Sequence, residues 1–145
     1  MKKFLGLCLT VVVLGVVTGC GSTKTLTCVQ EENEDGLKMK QTIEAVFKKD
    51  SVTKMTMTNE MEVPEEYKSY LSVFESSLKE ELSEYENKSG VTVDMKTKDS
   101  VLSAVITADL TKMDEETKEE LEIAGNNKKY DEIKKSMEEE GYTCK

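Results

Sequence analysis

The hydrophobic period of this chain changes at its only proline, Pro64, and that change restricts the class of fold. Before it, apolar residues alternate with polar ones. Leu26, Cys28 and Gln30 predict a short first strand, ended by an acidic turn from Glu31 to Gly36. Leu37, Met39, Ile43, Ala45 and Phe47 share one period-2 face, opposite Lys38, Lys40, Thr42 and Glu44. Residues 48–51 turn the chain, and Met55, Met57 and Met61 alternate against Lys54, Thr56, Thr58, Glu60 and Glu62. This alternation predicts an antiparallel meander with one solvated face.

After Pro64 the period becomes helical. Proline suits a first helical turn, and Glu65 and Glu66 suit the helix dipole. Tyr67, Tyr70, Leu71, Phe74, Leu78, Leu82 and Tyr85 recur every three or four residues, which predicts one amphipathic helix to about Tyr85. Strands return with Val91, Val93 and Met95, a turn at Asp99-Ser100, and an apolar run over residues 101–110. An acidic helix is expected from about Asp114 to Ile123, then a break over residues 125–127. A last helix carries Tyr130, Ile133 and Met137 and stops at Gly141.

The chain also repeats itself. Lys49-Asp50-Ser51-Val52 recurs as Lys98-Asp99-Ser100-Val101, an offset of 49 residues. At that offset Met55, Met57 and Met61 match Ala104, Ile106 and Leu110, while the preceding strands slip by one residue in their inward parity. A duplicated β-β-α unit and a shared supersecondary pattern both account for this. Either way the expected architecture is α+β, an antiparallel sheet with helices packed on one face.

The N-terminus sets an address. Lys2 and Lys3 precede an uncharged apolar stretch over residues 4–17, and Val17-Thr18-Gly19-Cys20 follows. A basic start, a short apolar run and small residues before a cut describe a secretory signal. The ending in Gly19-Cys20 resembles the bacterial lipobox, in which the Cys receives a diacylglycerol and the chain is cut just before it. The expected organisation is therefore a signal peptide over residues 1–19, lipidated Cys20 with a short tether over residues 20–25, and one α+β domain over residues 26–145. Acyl chains on Cys20 would hold the protein stably at a membrane. Cleavage removes two of the 20 basic residues and no acid, so the mature domain is more acidic than the whole chain at -9.

With Cys8 discarded and Cys20 lipidated, Cys28 and Cys144 remain as side-chain thiols. An even pair outside the cytoplasm reads as a disulfide. A redox or metal pair and two buried free thiols are the alternatives.

Composition removes several chemistries. The chain has no His, and all 20 basic residues are Lys. It can build no Ser-His-Asp or Cys-His nucleophile system and no bidentate Arg clamp on phosphate. Its acidity disfavours nucleic acid as a partner. Weaker motifs read as surface or core. Glu31, Asn33, Asp35 and Gly36 resemble a calcium loop, but its twelfth position is Thr42, where a bidentate Glu is needed. Met55, Met57 and Met61 could offer thioethers to Cu(I), although methionine more often fills core gaps. Glu65, Glu66, Glu80, Glu81, Glu84, Glu115, Glu119, Glu120 and Glu138 to Glu140 lie on polar helix faces, where solvated surface is the default over a hydrolase pair. Asn87-Lys88-Ser89 spells a glycosylation sequon, which carries no weight in a bacterial lipoprotein.

Taken with the lipobox, Cys28, the repeated strands and the Gly-Tyr-Thr-Cys ending, the chain resembles the YehR-like family of small bacterial lipoproteins. That resemblance implies a lipid-anchored domain of unknown function, with no activity or site residue to carry over. The functional expectation is a non-catalytic binding module on the extracytoplasmic face of the cell membrane, with no cofactor. Its partners would be the membrane and a cationic peptide or envelope protein, and not nucleic acid. Copper handling through the methionine face and a carboxylate-based hydrolase are the alternatives.

Overall fold

The computed structural model describes residues 23–34, 36–121 and 129–145. The signal segment, Cys20 and the expected break over residues 125–127 lie outside them. Six strands form one antiparallel sheet: β1 (Thr23–Glu34), β2 (Leu37–Lys48), β3 (Ser51–Glu62), β4 (Val91–Lys98), β5 (Val101–Asp109) and β6 (Thr143–Cys144). Their spatial order is β4-β5-β3-β2-β1-β6. A 3₁₀ segment, Glu65–Tyr70, leads into α1 (Leu71–Ser83), followed by α2 (Glu115–Glu120) and α3 (Tyr130–Glu139). The fold is α+β, as the change of period predicts.

The first strand is much longer than its apolar residues suggest. Thr23, Lys24 and Thr25, expected as tether, are the first residues of β1 and pair with Lys48, Phe47 and Val46. Threonine is a good strand former, and β2 is long enough to pair with the whole segment. The helix expected from Pro64 opens as 3₁₀, because no side chain at Pro64 caps its first turn.

One sheet face carries the core. Leu26, Cys28, Ala45 and Phe47 are buried there, and Tyr130, Ile133 and Met137 of α3 pack on them. The Phe47 and Tyr130 rings meet edge to face at 5.3 Å. Leu82 of α1 is buried too, beside Val93 and Met95 of β4, whereas Val73 on the same helix is exposed. Helix α3 ends in a Schellman turn. Gly141 takes φ +95, its N–H donates to Glu138, and the Tyr142 N–H donates to Met137. That turn delivers Tyr142, Thr143 and Cys144 to the free edge of β1, where Cys144 pairs with Cys28.

The sequence repeat is built into the sheet. Met57 of β3 pairs with Ile106 of β5, its own counterpart 49 residues on. Strand pairs on either side obey the same exchange, since Met55 pairs with Ala108 and Asn59 with Ala104. The hairpins β2–β3 and β5–β4 are thus related by an approximate two-fold axis through the Met57–Ile106 pair. The parity slip has a cause. Val46 pairs with Lys54 but Phe47 with Val52, so Thr53 is an extra, bulged residue in β3. The Thr53 hydroxyl donates to the Val46 carbonyl at 3.1 Å across that bulge. Up to the bulge the structural offset is therefore 50 residues and beyond it 49. The Lys-Asp-Ser-Val match runs one residue out of step with the turns, which are Lys49-Asp50 and Asp99-Ser100.

Candidate functional site

Among the described residues the helices leave part of the inner sheet face uncovered, and two of the clefts there bear on function. The first, about 300 Å³, has an apolar lining of Met39, Met61, Leu78 and Leu102. Met39 and Met61 are direct cross-strand partners, and Met39 is 37% exposed. Polar groups interrupt this lining along one row of the sheet, where Gln30 pairs with Gln41 and Gln41 with Asn59. Glu32 also lines the cleft.

Gln41 is the fixed member of the row. Its side-chain nitrogen donates to Asn59 Oδ1 at 2.8 Å and to Met57 Sδ at 3.2 Å. Its Oε1 accepts from the Tyr142 hydroxyl. Partial burial, then the negative charges of Glu140 and Glu32, push the Tyr142 pKa upward, so the phenol stays a donor. Gln30 Nε2 donates to the Glu140 carbonyl at 3.5 Å. Asn59 Nδ2, Gln30 Oε1 and the Glu32 carboxylate have no partner among the described residues. Lys40 and Glu60 line the cleft as well; Lys40 lies 3.3 Å from Glu31, and the nearby Lys38 lies 3.0 Å from Glu62.

The second cleft, about 280 Å³, contains Met55, Met57, Val91, Ile106 and Ala108 beneath Tyr85 and Leu121. The two-fold axis relates it to the first at two positions only. Val91 and Ala108 are cross-strand partners, and they occupy the positions that Gln41 and Asn59 hold in the first cleft. The same cross-strand pair position is thus apolar on one side of the axis and holds two amides on the other.

The residues singled out by sequence are distributed differently. Cys28 and Cys144 come together, with Cα atoms 4.1 Å and sulfurs 1.97 Å apart, a disulfide-capable pair. Met55, Met57 and Met61 share the inner face but not one site: Met55 packs on the core around Phe47, and Met61 lies four residues, about 13 Å, along the strand from Met57. The carboxylates expected on polar helix faces do lie at the surface. Glu65, Glu66, Glu80, Glu81, Glu84, Glu115, Glu119, Glu120, Glu138, Glu139 and Glu140 are all exposed. Among the described residues no three His, Cys, Asp or Glu side chains group as metal ligands. Thr42 lies inside β2, far from loop geometry. Lys88 of the sequon ion-pairs with Glu120, which raises its pKa chiefly through that hydrogen bond. No helix among the described residues is long and apolar enough to cross a membrane.

Sequence reasoning passed over the amide row. The signal was present as two gaps: position 41 is skipped in the apolar face of β2, and position 59 in that of β3. Only the register places those gaps side by side.

No protein-family model matches the chain, and no curated protein matches it. Two solved structures share its fold. One is the NMR structure of a protein from Streptococcus pneumoniae TIGR4, 20% identical, with TM-score 0.55 over 100% of this chain and 96% of that one. The other is the NMR structure of the Escherichia coli YehR protein, 17% identical, with TM-score 0.59 over 83% of this chain and 91% of that one. The likeness to YehR is therefore one of fold.

Proposed function

We propose that this chain is a lipid-anchored lipoprotein on the extracytoplasmic face of the cell membrane, acting as a non-catalytic binding module through the first cleft. The observation that carries the binding reading is the partnerless row of Gln30 Oε1, Asn59 Nδ2 and Glu32 beside thioethers and leucines. Such a lining offers hydrogen bonds and dispersion contacts, the usual means of a small-ligand or peptide site. It offers no nucleophile paired with a base. The lipobox at Cys20 supports the anchor, and an oxidised Cys28–Cys144 pair suits that compartment.

The anchor is tested by metabolic labelling with a radioactive fatty acid and by membrane fractionation. The chain is expected to take up label and sediment with membranes, and Cys20→Ala to do neither. A labelled, membrane-bound Cys20→Ala protein contradicts the reading.

A further inference from the structure

We propose that the first cleft binds an extended cationic peptide, a reading that rests on the binding-module function above. The two-fold relation supplies the first argument. Val91 and Ala108 show that the fold accepts an apolar pair where Gln41 and Asn59 stand. The sheet does not need amides there, and polar side chains in a half-buried site are disfavoured unless they are satisfied.

The free groups supply the second. Gln41 is locked by Tyr142, Met57 and Asn59, and it occupies Asn59 Oδ1. The amide left to a ligand on Asn59 is therefore the donor, Nδ2. On β1 the free atom is the acceptor, Gln30 Oε1. These two residues stand two strand spacings apart, about 10 Å, close to three residues of an extended chain. One donor and one acceptor at that separation match the carbonyl and N–H of a peptide backbone, with its apolar side chains on Met39, Met61, Leu78 and Leu102.

Charge supplies the third. The one lysine in the cleft lining, Lys40, is paired with Glu31, whereas the lining carboxylates Glu32 and Glu60 have no ion-pair partner among the described residues. A Lys or Arg of the peptide would supply that missing cation. The net charge of -9 favours the same sign of partner.

The test uses the full chain in dodecyl maltoside, titrated with a fluorescein-labelled acetyl-Leu-Lys-Leu-Lys-Leu amide and read by anisotropy. Saturable binding is expected, weakened about tenfold by Asn59→Ala and by Glu32→Gln, with unfolding temperatures unchanged. Asn59→Ala reproduces the residue of the second cleft, so it should fold. The matching Leu-Glu peptide is expected to bind at least tenfold more weakly, and decyltrimethylammonium below its micelle concentration not to compete. Absence of saturable binding, indifference to both substitutions, equal binding of the Leu-Glu peptide, or full competition by the alkylammonium would each overturn the proposal. Failure here leaves fatty-acid labelling at Cys20 untouched, so loss of the peptide reading is distinguishable from loss of the anchored-module reading.

Discussion

Met57 and Ile106 face each other across the central strand pair and are also equivalent positions of the internal repeat. That coincidence makes the four-strand centre of the sheet two-fold. The outer elements β1, β6 and α3 join on one side only. They bring Gln30 and Glu32 to the first cleft and the Tyr142 hydroxyl to its Gln41, and have no counterpart at the other among the described residues. The two clefts therefore differ in two ways: in these added elements, and within the symmetric centre at Gln41 and Asn59 against Val91 and Ala108.

The Cys28–Cys144 pair closes a separation of 116 residues and ties β6 to β1. Reduction, or Cys144→Ser, should lower unfolding free energy by about 4 kcal/mol. Urea unfolding with and without dithiothreitol measures this. An unchanged midpoint would show that the thiols are not joined.

Gly90 has φ +75, and a Cβ there would meet the Asp109 carbonyl oxygen at 2.7 Å and the Met113 nitrogen at 2.9 Å. Gly36 has φ +85 but meets nothing nearer than 3.9 Å. Gly36→Ala should cost about 1 kcal/mol from backbone strain. Gly90→Ala should cost clearly more, because rigid backbone must move. Equal losses would mean that the close approach at Gly90 relaxes freely.

Asp114 caps α2, accepting from the Thr117 N–H at 2.8 Å, and that hydrogen bond lowers its pKa below 3.8. The folded state then binds fewer protons than the unfolded chain between the two pKa values. The stabilisation is full above the unfolded value and is lost as pH falls through the folded one. Asp114→Ala should therefore lower the unfolding midpoint at neutral pH, and the gap from wild type should close below pH 3.8. A gap constant down to pH 2 would contradict this.

Tyr142 behaves in the opposite sense. Burial first, then the charges of Glu140 and Glu32, raise its pKa above 10. The folded state holds the proton longer than the unfolded chain, so this contribution is present below the unfolded pKa and lost as pH rises through the folded one. The absorbance difference at 295 nm between wild type and Tyr142→Phe should titrate with a midpoint above pH 10. A midpoint below 10 would contradict the burial of the phenol.

The strand and helix classes were legible because periods of 2 and about 3.6 are properties of neighbouring residues. Cys28 with Cys144 was legible too, through cysteine arithmetic alone. The length of β1 was not, since Thr23 to Thr25 have no alternation and owe their strand to Lys48, Phe47 and Val46 opposite. Nor was the bulge at Thr53, which shows in sequence only as a slip of parity. The cleft escaped for the same reason. Gln41 and Asn59 are unremarkable singly, and their meaning comes from a register that joins residues on different strands. The methionine pattern was read along one strand, whereas the contact that forms is between Met61 and Met39 across two.

The claim that the amides serve a ligand and not the sheet is tested most directly by urea unfolding of Gln41→Val with Asn59→Ala in one chain, beside wild type. This pair copies Val91 and Ala108 of the second cleft. The predicted result is an unfolding free energy within about 1 kcal/mol of wild type, with peptide binding lost. A loss of about 3 kcal/mol or more would show that the amide row holds the fold together and would contradict the claim.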